Sequence, residues 1–146
     1  GLKYRQQIIY KSKNLTIIND SKSTSFSSSI SILKSLSNVY WIVEELAKKG
    51  DKFLLPKKNC KNFKAYIFGK DKGQFIKQLK NFINYEQFND LVSLLKKILY
   101  DIKRKKNNKH KTILFSPAAA SFDSFDNFEE RGKYFNNLIK KLMNVK

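Results

Sequence analysis

Apolar positions along the chain switch repeatedly between two spacings. Gln6 to Tyr10 and Leu15 to Asn19 read as two short strands joined by a polar turn around Lys13 and Asn14. Phe26, Ile30, Leu33 and Leu36 then recur every three or four residues, which predicts a helix with one buried face and Thr24 or Ser25 as its N-cap. Val39 to Val43 is apolar throughout, as a strand buried on both faces would be. Glu44 to Asn62 reads as a charged, irregular connection, and Phe63 to Phe68 as the next strand. A glycine-bounded turn, Gly69 to Gly73, leads into a helix through Phe75, Ile76 and Leu79, with a short strand near Phe82 to Tyr85. Phe88 to Lys105 is a long helix with Leu91, Leu94, Leu95, Ile98 and Ile102 on its inner face. After a polar loop, Thr112 to Phe115 is the last strand. Asn127 to Met143 is the closing helix, opened by Asp126 and Glu129 at capping-box spacing and turning Phe128, Phe135, Leu138, Ile139 and Leu142 inward.

Strands that alternate with helices, several of them wholly apolar, predict an α/β fold with a mostly parallel sheet covered on both faces. In such sheets ligands bind beyond the carboxyl ends of the strands. That rule selects the segments after Asn19, Val43, Phe68 and Phe115. With 146 residues the chain suits one compact domain, residues 1–146.

Composition changes this picture little. No apolar run reaches the roughly 18 residues of a membrane helix. The start, Gly1-Leu2-Lys3-Tyr4-Arg5, has no apolar segment of the signal-peptide kind. One cysteine, Cys60, forms no internal disulfide and suits a reducing, cytoplasmic setting. A formal charge of +18 raises nucleic acid as a partner. The excess is lysine scattered along the whole chain, which is a drift in composition and not a shaped basic stripe. His110 and Cys60 lie in polar loops and receive no catalytic role.

Two segments carry candidate chemistry. Ile18-Asn19-Asp20-Ser21-Lys22-Ser23-Thr24 joins a strand to a helix, so a carboxylate, an ammonium group and hydroxyls meet where free backbone N–H groups favour anions. Simple helix capping accounts for Asp20 and the serines equally well. The second runs from Phe115-Ser116-Pro117-Ala118-Ala119-Ala120-Ser121-Phe122 through Asp123 and Asp126 to Phe128-Glu129-Glu130-Arg131-Gly132. Small residues there let a ligand approach the backbone. Its four carboxylates could suggest a metal, but capping and the helix dipole explain Asp126, Glu129 and Glu130 more simply.

Together these motifs resemble the C-terminal domain of the Mur ligase family, in its D-glutamate-adding branch, which reads N-D-S-K-A-T-N and S-P-A-x-A-S-x-D-x-F-x-N-F-x-x-R-G. The resemblance spans essentially the whole chain. It implies a Rossmann-like three-layer sandwich with a six-stranded mixed sheet. It also implies a cytoplasmic, monomeric ligase of peptidoglycan synthesis that uses ATP and Mg2+. ATP would phosphorylate the alanyl carboxylate of UDP-N-acetylmuramoyl-L-alanine, and the amine of D-glutamate would attack the acyl phosphate. By the same resemblance Arg5, Asp20 and Lys22 contact the nucleotide, while Thr24, Lys48, Ser121, Phe122 and Phe128 hold D-glutamate, the two phenylalanines through backbone groups. No G-x-x-x-x-G-K-[ST] loop occurs in the chain. The resemblance assigns that loop and the magnesium ligands to a central ATPase domain, and the uridine nucleotide to an N-terminal domain. The isolated chain is therefore expected to fold without ligase activity.

One departure stands out. Glu44-Glu45 occupies the place of a family Gly-Gly, adding bulk and negative charge beside a site for anions. That leaves a diverged, non-catalytic binding module as the alternative function, with a basic nucleic-acid-binding domain behind it. Ser25, where the family often has Asn, is a milder change.

Overall fold

A computed structural model describes residues 2–44, 52–60, 62–69, 73–79, 81–120 and 125–144. The elements run β1 (Gln7–Lys11), β2 (Leu15–Asn19), α1 (Phe26–Leu33), β3 (Val39–Glu44), a 3-10 helix (Lys57–Cys60), β4 (Phe63–Phe68), α2 (Gly73–Leu79), β5 (Asn84–Phe88), α3 (Leu91–Arg104), β6 (Lys111–Phe115) and α4 (Phe128–Met143). The six strands form one sheet in the order β1-β2-β6-β3-β4-β5. β1 pairs antiparallel with β2, and every other pairing is parallel. This is the expected Rossmann-like α/β sandwich with a mostly parallel mixed sheet.

The pleat divides the core in two. Val39, Trp41 and Val43 of β3 point to the side carrying α1 and α2, where they meet Phe26, Ile30, Leu33 and Leu79. Tyr40 and Ile42 point to the opposite side, among Leu94, Leu95 and Ile98 of α3 and Phe135 and Ile139 of α4. Phe115 and Phe135 stack with ring centroids 4.3 Å apart, fixing α4 to the middle of the sheet. Along α3, Leu91, Leu94, Leu95 and Ile98 are buried at helical spacing. Each such side chain contributes about 1.5–3 kcal/mol on burial, enough to hold a helix that is marginal alone. Among the described residues no helix is long and apolar enough to cross a membrane.

Several expected boundaries move. β5 lies at Asn84–Phe88, not Phe82 to Tyr85, and Asp90 caps α3 by accepting from the Ser93 N–H, so that helix starts after Phe88. Ser25 caps α1, and Asn127 rather than Asp126 caps α4, accepting from Glu130 N–H. Asn127 and Glu130 keep the three-residue capping interval one position later. The stretch between β3 and β4 is not merely polar: Phe53, Leu55 and Cys60 enter the core, and the Phe53 ring stacks on Trp41. Burial raises the Cys60 thiol pKa, in keeping with a structural cysteine. His110 is exposed but tied, with Nδ1 3.0 Å from the Lys13 carbonyl and Nε2 2.7 Å from the Thr16 hydroxyl.

Candidate functional site

The chain leaves β2 toward α1 on one face and leaves the adjacent β6 toward α4 on the other. The carboxyl ends of β2 and β6 therefore flank a topological switch point, where an open α/β sheet forms its crevice. Both motifs singled out from the sequence emerge there.

Asp20 follows β2 directly. Its N–H donates to the Phe115 carbonyl over 2.7 Å, carrying the parallel ladder one step beyond the strands. Its carboxylate accepts from the Ser116 hydroxyl at 2.7 Å and from the Gln6 N–H at 3.1 Å. Ser116 continues through a buried chain of hydroxyls, Ser116 to Ser29 and Ser29 to Ser23, each step 2.6 Å. Trp41 Nε1 donates to the Ser116 carbonyl at 2.7 Å. Burial raises the Asp20 pKa, opposed by the Ser116 and Gln6 hydrogen bonds and by the charges of Arg5 and Arg131.

Arg131, in the first turn of α4, is fully buried. Its Nη1 donates to a Glu44 carboxylate oxygen at 2.7 Å and to the Ala119 carbonyl at 2.8 Å. Nη2 donates to the Ser21 and Ser23 carbonyls, and Nε to the Ser21 hydroxyl. All five guanidinium N–H groups are thereby used. One side chain ties the loop after β2, the end of β3 and the loop after β6. Burial lowers the Arg131 pKa, and the charges of Glu44 and Asp20 raise it.

Two further contacts lock α4 against this crevice. Asn19 Nδ2 donates to the Gly132 carbonyl at 2.9 Å and to Asn136 Oδ1 at 2.7 Å. At Gly132 an added Cβ would lie 2.3 Å from the Tyr4 ring, so only glycine lets the N-terminal segment cross the helix. Ala118 has φ 59, a left-handed conformation uncommon for alanine. It is kept there between the Pro117 carbonyl, which accepts from the Glu44 N–H, and the Ala119 carbonyl, which accepts from Arg131.

The structure places the expected site residues unevenly. Asp20 is buried and its carboxylate joins the two loops. Arg5, Lys22 and Thr24 are exposed, and the charge of Arg5 acts on Asp20. The Lys22 ammonium stands 5.5 Å from the centre of the half-buried Phe128 ring, and the Phe128 carbonyl accepts from the Ser21 hydroxyl. Lys48, Ser121 and Phe122 lie outside the described residues, as does Glu45. From the sequence alone Arg131 has no role and Glu44 is negative charge beside an anion site. In the structure that charge is turned inward and paired with Arg131. A signal existed: Arg131 lies three residues after Phe128 and four before Phe135, on the apolar stripe of α4. A charge on such a stripe needs a buried partner.

Fold and loops define a Rossmann-like α/β domain with a buried polar cluster at its switch point, between the loops that lead toward α1 and α4. Comparison with known proteins then narrows the class. The chain is 35% identical over 142 residues to UDP-N-acetylmuramoylalanine--D-glutamate ligase of Wolbachia sp. subsp. Brugia malayi, a match covering 97% of the chain and 28% of that protein. It is 34% identical over 146 residues to the protein of the same name from Francisella tularensis subsp. tularensis, covering 97% of the chain and 34% of the relative. No family model matches. The chain is a homologue of a segment of these ligases, spanning about a third of their length, and its fold is consistent with a domain of that type.

Proposed function

We propose that the chain is the C-terminal domain of an ATP-dependent ligase that joins D-glutamate to UDP-N-acetylmuramoyl-L-alanine in peptidoglycan synthesis, acting as a monomer in the cytoplasm. The reading is supported by the relatives' name and carried by one observation: Arg131 gathers the loops at Ser21–Ser23 and Ala119 onto a single rim. An acidic amino acid needs cationic and hydrogen-bonding partners at both carboxylates, and a phosphate is favoured near free backbone N–H groups. On this reading Arg5, Asp20 and Lys22 meet the nucleotide, and Thr24, Lys48, Ser121, Phe122 and Phe128 position the D-glutamate amine. The domain's share of catalysis is orientation and closure over the reactants, not proton transfer.

Magnesium would neutralise phosphate charge in such a reaction. On this reading the ion is held by a central ATPase domain, as the resemblance implies.

A chimera tests the reading. The chain replaces the homologous third of the Francisella tularensis relative, and D-glutamate-dependent phosphate release is measured. Release is expected from the chimera and none from the 146-residue chain alone. The second reading, a non-catalytic module, rests on the Glu44-Glu45 pair in the sequence, of which Glu44 is turned inward to Arg131. A folded chimera that is silent until Glu44→Gly and Glu45→Gly are introduced would establish it. Activity unchanged by those substitutions would dismiss it.

A further inference from the structure

At the opposite edge of the sheet the structure assigns a second binding site: a cationic cavity of about 600 Å³ at the amino ends of β3, β4, β5 and β6, suited to a small molecule bearing a di- or triphosphate chain. The cavity lies on the α3 side, between the strand starts and the last turn of that helix. Six cationic side chains line it against one carboxylate, Asp101. Lys64 and Lys97 are already engaged by Asp101 and Glu86. Among the described residues Arg104, Lys105, Lys109 and Lys111 have no ion-pair partner there.

Lys111 is the telling member. It is 6% exposed, and its ammonium donates only to neutral acceptors, the Asn107 side chain at 3.1 Å and the Lys109 carbonyl at 3.0 Å. Its ammonium faces the cavity with no counter-charge among the described residues, and an incoming anion would supply one. The terminal carbonyls of α3 oppose an anion with roughly half a negative charge. The four cations left without an ion-pair partner outweigh them. Tyr100 does not serve as a platform for a base, because Lys97 and Arg104 already stand 5.5 Å from its ring centre. The recognised chemistry is therefore phosphate charge in a compact chain. None of these residues belongs to the switch-point crevice, so the inference does not depend on the ligase reading.

Titration of tripolyphosphate into the 15N-labelled 146-residue chain tests it, followed by amide shifts. Shifts centred on residues 104–111 and saturable binding that weakens with added salt are expected. Arg104→Glu with Lys109→Glu, both exposed positions, should weaken binding about tenfold or more. Lys109→Ala alone should weaken it measurably if the double variant fails to fold. No saturable shift at millimolar tripolyphosphate, or equal binding by the variants, would overturn the assignment. So would shifts centred on residues 20–24 and 116–120, or tighter binding of a single-stranded oligonucleotide than of tripolyphosphate.

Discussion

Arg131 and Glu44 are 87 positions apart in sequence, yet their guanidinium and carboxylate groups meet at 2.7 Å with neither side chain more than 1% exposed. The pair ties the end of β3 to the loops after β2 and β6. It also changes the meaning of the glutamate at position 44, since the carboxylate serves as counter-ion to a buried cation.

Removing one partner should cost far more than the pair contributes on balance. Arg131→Met leaves the Glu44 carboxylate buried without its cation and should destabilise by about 3–5 kcal/mol in urea unfolding. Glu44→Gly should cost less, because four neutral acceptors still hold Arg131. Strict additivity in the Arg131→Met, Glu44→Gly double variant would show that the two groups do not interact energetically.

Gly132→Ala pits helix propensity against the Tyr4 ring. Alanine favours a helix interior by about 1 kcal/mol over glycine. A Cβ 2.3 Å from the ring, though, forces the N-terminal segment aside. A net loss of about 1–3 kcal/mol is expected, together with faster proteolysis ahead of β1. Tyr4→Ala in the same background should recover part of the loss. A stabilised Gly132→Ala single variant would contradict the close crossing.

Asp20 should imprint a pH dependence of defined sign. Burial raises its folded pKa above the unfolded value, so the native state binds the proton more tightly. The carboxyl's contribution to stability is then greatest when protonated and declines as pH rises from the ordinary carboxylate range through the raised folded pKa. Asp20→Asn removes that decline. The stability of the parent chain relative to Asp20→Asn should therefore fall with rising pH across that window. A rise would mean that the hydrogen bonds from Ser116 and Gln6 outweigh burial.

Ser29→Ala interrupts the hydroxyl chain between Ser23 and Ser116. Leaving two buried hydroxyls short of a partner should cost about 1–3 kcal/mol in chemical denaturation. Ser27→Ala, on the exposed side of α1, should cost less than 0.5 kcal/mol.

Much of this molecule was legible along the chain. The runs at Leu15 to Asn19, Val39 to Val43 and Phe63 to Phe68 announced their strands because strands covered on both faces are built mainly from apolar residues. The buried Thr16 and Asn19 are satisfied by hydrogen bonds. The stripes of α3 and α4 were equally plain, since a helix between sheet and solvent must alternate with period 3.6. Boundaries such as β5 and the α3 cap slipped by a few positions, because edge strands and helix ends are set by hydrogen-bond partners and not by hydropathy. The order in which the strands lie, and hence the switch point between β2 and β6, came only with the fold. Local sequence chose Asp20, Ser116 and Arg131 without saying where they would go. Whether a charge faces solvent, a ligand or a buried partner depends on what long-range packing brings against it. For Glu44, that was the guanidinium of a helix from the far end of the chain.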